Sequence, residues 1–420
     1  MAGQNSAQVI ATEMEKVKDA VPTLFDHDAM FYANLEKRPV DVVSARDMRV
    51  PLELRPGGKF GYFDPDGGDM GRGGGPTYDK AVVPTVNLKH AVEWTKKAEW
   101  GTDNARKGVL NTFRRLLATA MSEFRRQVEA QCMTAGDGVL GTITSVANAA
   151  GVDTYTLTTD GFGAKLLRFG QDIRIYNAAL GATRNGAVSG GEVEITFHDL
   201  ANKTIKVPEV TGAIATDKIV ASGLSATPPV GFLGVTYHHN SASTGTWLGF
   251  DRSLTPEIRA NRVAAAGSLT LPQPRLAINK IGDRVGMDNM QKTTAWMHPC
   301  QKQAYEELGQ LVSVIDKSAR DESLDLYFGD SMQMAGAPIK TSYLWDKTRI
   351  DFIVNNVWGR AEMHPAGFYE VDGKKIFEIR GASGGIATSQ VFYIVASFNI
   401  FVNNPAACSY IDALSVPSGY

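Results

Sequence analysis

No apolar run in this 420-residue chain reaches the ~18 residues that a membrane-crossing helix needs. The opening residues, MAGQNSAQVIATEMEK, have no basic stretch followed by an apolar core, so no export signal is read. The chain is expected to stay in a cytosol. Cysteine is scarce: Cys132, Cys300 and Cys408 are far apart and odd in number. They form no metal-type pair and no disulfide framework, and buried free thiols are expected. An excess of one charge is lacking too. The formal net charge of −2 argues against a dedicated nucleic-acid binder, but not against one charged face.

Catalytic signatures are also missing. No GxSxG, HExxH, DxDxDG or GxxxxGK[ST] occurs. His238-His239, with no carboxylate or cysteine at ligand spacing, reads as a surface loop. His298, ahead of Pro299, reads as a turn residue, and Asp64, Asp66 and Asp69 read as solvated acids of a glycine-rich tip. GFGAKL at 161–166 is half a dinucleotide fingerprint with no βαβ unit around it. No catalytic residue, cofactor site or metal site is expected.

What is present begins with one long helix, Thr102 to Met133. Leu110, Phe113, Leu117, Met121, Phe124, Val128 and Cys132 recur at steps of three and four and form one apolar stripe. Thr102 or Asp103 can cap it, and Gly136 and Gly138 mark its end. At 1.5 Å per residue such a rod is about 45 Å long. Its other face carries Arg114, Arg115, Glu123, Arg125, Arg126 and Glu129. Two readings stay open: a solvated face with local pairs such as Arg125 with Glu129, or a basic ridge facing a polyanion or a neighbouring subunit.

Before that helix come a helical arm, with Val9, Ile10, Met14 and Val17 on one side, and then an unusual segment. RVPLELRPGGKFGYF and TYDKAVVPTVNLKHAVEW alternate as strands do, and six of the nine residues from Gly67 to Gly75 are glycine. Two extended arms of this kind form a ribbon reaching on the order of 45 to 55 Å. A lone two-stranded ribbon is marginal in water, so it is expected to lie on another surface, as a lasso onto a neighbouring subunit. The bland alternative is a disordered loop.

After the helix, short β-like runs (TYTLT, DIRIYN, VEITFHD, KTIKV, KIVAS) separated by turns read as a small β-barrel or sandwich inserted at 150–225. The rest alternates strand and helix. TPEIRANRVAA reads as helical from Thr255, and LPQPRLAINKIGDRVG as a helix burying Leu276, Ile278, Ile281 and Val285. TTAWMHP reads as a buried strand, QKQAYEELGQLVSVI as a helix, and VFYIVASFNIFVN as an apolar strand stopped by Asn404-Pro405.

In this order the parts resemble the major capsid protein of tailed double-stranded DNA phages, the Hong Kong 97-like fold. TAWMHPCQKQAYEEL is similar to that family's strand-NP-helix segment, with His298 where asparagine is often found. AGAPIKTSY is similar to its GxPv strand, and VFYIVASFNIFVNNPAACSYIDAL to its closing strand and NPxA turn. STGTWLGFDRSLTPEIRANRV, at 243–263, resembles a stretch of capsid proteins that carry an extra β-domain.

The resemblance implies an α+β fold with a defined division. Residues 1–48 would be the N-terminal arm, 49–95 the extended loop, 96–149 the peripheral domain with its spine helix, and 150–225 the inserted β-domain. Residues 226–345 would be the axial domain, and 346–420 peripheral strands with a C-terminal return to the axial domain. Copies would form hexamers and pentamers of an icosahedral shell around packaged double-stranded DNA, bound non-specifically. Its partners would be itself and scaffolding, portal and decoration proteins, in a virion assembled in the host cytoplasm, with no membrane. The extended-loop residues Arg55, Lys59, Phe60, Tyr62, Phe63 and Arg72 are expected at inter-subunit contacts. Arg114, Arg115, Arg125 and Arg126 are expected towards the interior or an intercapsomer seam. An encapsulin-like compartment and a β-rich enzyme with a glycine-rich lid are the alternatives.

Overall fold

A computed structural model describes residues 30–37, 41–42, 47–62, 66, 73–95, 120–158, 161–186, 191–224, 226–316, 333–380 and 386–417. The expected helices of the N-terminal arm before residue 30 lie outside these residues. So do the front of the long helix with Arg114 and Arg115, and Phe63 and Arg72 at the ribbon tip.

The described residues build two sheets and a barrel. The first sheet is organised by Ile386–Val402, whose β-branched and aromatic residues favour an extended, buried strand. Antiparallel to it run Trp358–Phe368, Ile376–Arg380 and Val86–Thr95, and Glu36–Lys37 adds in parallel to Trp358–Phe368. The end of the long helix, residues 120–132, contributes Met121, Phe124 and Val128 to the same core as Phe392, Ile394 and Phe398.

The second sheet has six strands in the order Asn261–Gly267, Ser409–Leu414, Ile350–Val354, Thr293–Met297, Ala337–Thr341 and Gln333–Met334. Thr293–Met297 and Ile350–Val354 are buried along their whole length, as strands covered on both faces must be. Helix Pro272–Val285 buries Ala277, Ile278 and Ile281, whereas Leu276, expected inside, is 48% exposed. A 3-10 turn at Pro256–Ile258 is followed by a strand, Asn261–Gly267, where a helix was expected. Pairing in parallel with Ser409–Leu414 overrides the helical propensity of its alanines. The expected stop at Asn404-Pro405 is a one-turn 3-10 helix capped by the Asn404 side chain.

Residues 139–221 build a seven-stranded sheet curled into a barrel. Its strands run Glu192–Glu194, Asp172–Tyr176, Lys218–Ala221, Val139–Ala149, Val152–Leu157, Thr204–Pro208 and Phe197–Asp199. The ends meet because residues 192–199 pair with Asp172–Tyr176 on one side and Thr204–Pro208 on the other. Ile143, Tyr155, Ile173, Ile175, Ile195, Ile205, Val207 and Ile219 fill the interior. Val139–Ala149, read from sequence as the end of the preceding domain, is a barrel strand, so the barrel starts at Val139 and not at 150.

Candidate assembly surfaces and the buried polar junction

The ribbon pairs Asp47–Arg55 with Thr77–Pro84, from Asp47 opposite Pro84 to Arg55 opposite Thr77, with a register shift between Glu53 and Arg55. It is shorter than its sequence suggested, because Val86–Thr95 leaves it to pair with Ile386–Val402. Its two halves differ. At the base, Met48, Val50, Ala81 and Val83 are buried against Trp247, Leu248 and Phe250, and the Val82 N–H donates to the Leu248 carbonyl at 3.1 Å. Part of the surface the ribbon needs is therefore supplied by its own chain. Beyond the base, Thr77 to Lys80 are exposed throughout. Arg55 and Lys59 are exposed as well. Phe60 and Tyr62 are 96% and 100% exposed, edge to face with ring centroids 6.2 Å apart. Two aromatic rings held fully in water lose the benefit of burial that such side chains ordinarily bring.

The charged face of the long helix is not solvated where it is described. Arg125 is buried, and the Arg126 guanidinium donates to the Lys165 carbonyl at 3.1 Å, which ties the helix to the barrel. Glu123 pairs with Arg168 on the barrel. Glu129, expected opposite Arg125 in solvent, is buried and accepts the backbone N–H groups of Phe31 and Tyr32 at 3.2 and 3.4 Å. Nothing in the spacing of its own helix marks Glu129 for that role, since both donors lie almost a hundred residues earlier.

An open cleft of about 1540 Å³ lies between barrel, helix and first sheet, lined among others by His90, Glu123, Arg168, Glu192, Arg360 and Glu362. Some of its charged residues are paired: Glu192 with Arg174 at 3.0 Å and Arg360 with Glu362 at 2.9 Å. Among the described residues no three metal-ligating side chains come together.

His238 and His239 are not in a surface loop. Both are buried, at 0% and 1% exposure, where the two sheets meet. His238 Nε2–H donates to the Ile400 carbonyl at 3.1 Å, and Nδ1 accepts from Trp247 Nε1 at 3.1 Å. Burial pushes its pKa down to about 3, so the ring is neutral. His239 Nδ1 donates to Asp351, which also accepts from Trp345 Nε1 at 2.9 Å and from Arg349 at 2.8 Å. The reading as a loop failed because the partners that make these rings tolerable inside come from distant strands. His298 does sit in a turn: its Nδ1 accepts the Cys300 N–H at 3.1 Å and so caps helix Pro299–Asp316. Cys132, Cys300 and Cys408 are buried free thiols, as expected.

No family model matches the chain, and no curated protein matches it in sequence. In structure it is similar to a chain of the cyanophage A-1(L) capsid asymmetric unit. The identity is 10%, over 92% of this chain and 93% of that one, with a TM-score of 0.53. It is also similar to the mature capsid of bacteriophage PhiM1, at 9% identity over 93% and 89% of the two chains, with a TM-score of 0.45. The holo-SrpI encapsulin complex from Synechococcus elongatus PCC 7942 matches at 8% identity over 93% and 89%, with a TM-score of 0.42. The fold is thus a phage capsid-protein fold, a mixed α+β architecture shared nearly end to end with the cyanophage chain.

Proposed function

We propose that this chain is the major capsid protein of a tailed double-stranded DNA phage, a structural protein that self-assembles into hexamers and pentamers of an icosahedral shell. The observation that carries the reading is the likeness to the cyanophage capsid chain over 92% of the sequence. The ribbon supports it: its base is anchored at home, while Arg55, Lys59, Phe60 and Tyr62 are exposed among the described residues. In this reading the tip, with Phe63 and Arg72, contacts an adjacent subunit, and Arg114 and Arg115 face the interior or a seam between capsomers. Arg126 acts on that ridge from inside by fixing the helix to the barrel, and Arg125 is buried beside it. Packaged DNA is contacted non-specifically, and scaffolding, portal and decoration proteins are the further partners.

Negative-stain electron microscopy of the purified protein, alone and co-expressed with neighbouring genes, tests this. Closed shells or capsomer rings are expected, and shells filled with DNA separate the phage reading from a cargo compartment. A small monodisperse species under every condition would overturn it.

A further inference from the structure

The turn Met30–Ala33 and the short strand Glu36–Lys37 are the first described parts of the chain, and they are fixed to the body by an unusual set of contacts. Phe31 is buried with its ring edge-to-face against three tryptophans, Trp296, Trp345 and Trp358, at 5.4, 5.6 and 5.7 Å. The Tyr32 hydroxyl donates to Glu362 at 3.2 Å, and Lys37 pairs with the same carboxylate at 3.1 Å. The N–H groups of Phe31 and Tyr32 belong to the first turn of a helix, where no carbonyl of that turn can accept them. The Glu129 carboxylate takes both, one on each oxygen.

We propose that Glu129 is a proton-operated clasp on the segment 31–37, gripping it most tightly when the carboxyl is protonated. An ionised carboxylate buried among apolar side chains carries a desolvation cost, which two amide donors offset only in part. The protonated acid still accepts one amide on its carbonyl oxygen and the other, more weakly, on its hydroxyl oxygen, and it sheds that cost. The charged and titratable groups around it are Arg125 and Cys132 on its own helix, Tyr32 and Lys37 on the clasped segment, and Arg360 and Glu362 on strand Trp358–Phe368. Arg360 sits over the Tyr32 ring at 4.6 Å and pairs with Glu362, so its charge is already engaged. Burial dominates, and the Glu129 pKa is pushed up to about 7.

The sign follows from linkage. Docked, Glu129 holds its proton up to about pH 7; released into water, it returns towards its ordinary value of 4.5. Docking therefore takes up a proton, is strongest at acid pH, and weakens as pH rises through 7. Between pH 5.5 and 8.5 the docking equilibrium changes roughly thirtyfold. The clasp belongs to the single chain and does not rest on the shell reading.

Hydrogen–deuterium exchange at Phe31 and Tyr32 tests it, on the full-length chain as a single subunit, corrected for the intrinsic pH dependence of exchange. Protection in the wild type should fall on the order of thirtyfold from pH 5.5 to 8.5, nearly all of it below pH 7, above which it levels off. Glu129→Gln, which cannot ionise but offers only one acceptor oxygen, should show a lower protection that does not change across that range. Wild-type protection that is flat or rises with pH overturns the proposal, and so does a Glu129→Gln profile that tracks the wild type. If that variant does not fold, the carboxyl-carbon shift of Glu129 in the ¹³C-glutamate-labelled wild type decides. A midpoint near 7 is expected, and one below 5 overturns it.

Discussion

His239 Nδ1 lies 2.6 Å from Asp351 Oδ1, with both side chains shut off from solvent. His239 follows the helical turn Val235–His238, while Asp351 sits in the second sheet, so this contact joins two parts of the chain 112 residues apart. Burial lowers the His239 pKa despite the acid beside it, so the ring is neutral. Burial alone would raise Asp351, but Arg349 and His239 outweigh it and hold the carboxyl below its usual range. The charge pair is therefore Asp351 with Arg349, and His239 is a neutral donor to it.

Asp351→Asn removes the acid and leaves the Arg349 guanidinium, only 12% exposed, without its counter-charge. A loss of about 3 kcal/mol in stability is expected, as for other buried pairs broken on one side. The Asp351 contribution is present above the ordinary carboxylate value of ~3.9 and is lost as pH falls through the lower folded value. Urea denaturation should thus show the full deficit at pH 7, shrinking only below about pH 4.

His238 gives a dependence of the same sign but at higher pH. Unfolded, it takes a proton near its ordinary 6.5; folded, only near 3. As pH falls between those values the unfolded state gains protons that the folded state refuses, and stability declines by on the order of 4 kcal/mol. Glu129 works the other way over pH 7 to 4.5, so the slopes partly cancel. His238→Gln keeps an acceptor for Trp247 and a donor for Ile400 but cannot be protonated. Its melting temperature should fall less than the wild type's between pH 6.5 and 4.

These buried contacts mark where sequence reading stops. Periodicity located the ribbon, the buried strand Thr293–Met297, the helix Pro272–Val285 and a run of short strands with a turn at Asn202-Lys203, because each signal is local, whereas Asn185-Gly186, expected as a turn, is a short strand paired with Val210–Thr211. It misplaced the start of the barrel, since Gly136 and Gly138 correctly end a helix but do not say which sheet Val139 joins. It took the histidine pair for surface, because Trp247, Ile400 and Asp351 become neighbours only in the fold. The exposure of Phe60 and Tyr62 agrees with the glycine-rich tip, whereas the burial of Arg125 has no local signal in its helix.

The tip makes a different prediction, since Phe60 and Tyr62 pack on each other and are exposed among the described residues. Phe60→Ala with Tyr62→Ala should leave the melting temperature of the isolated subunit unchanged, within the ~0.5 kcal/mol usual for surface substitutions. If the tip contacts a neighbour, the same variant should give few or no closed shells by electron microscopy. Normal shell yield would remove the tip from the contact.

The stem of the barrel offers the strictest test of the fold. The chain enters after Thr134 and returns through Gly231 to Gly234, and the two passes lie backbone to backbone. Gly231 N donates to the Gly136 carbonyl at 2.8 Å, and Ala135 bridges Leu233. A Cβ on Gly234 would stand 2.3 Å from the Cys132 carbonyl oxygen and 2.4 Å from that of Thr134. Those are backbone atoms at the end of a buried helix, so no rotamer change relieves the clash. Gly234→Ala must push the returning strand away, breaking the Leu233 N–H bond to Asn399 Oδ1 at 2.9 Å and the Thr236 hydroxyl bond to the Met133 carbonyl. A loss of about 3 kcal/mol or more is expected, larger than overpacking at a yielding core site. Gly223→Ala, at a glycine with open space around it but a φ of +85°, should cost only about 1 kcal/mol. Thermal denaturation of the two variants side by side separates backbone crowding at the stem from turn strain, and equal losses would show that the stem gives way.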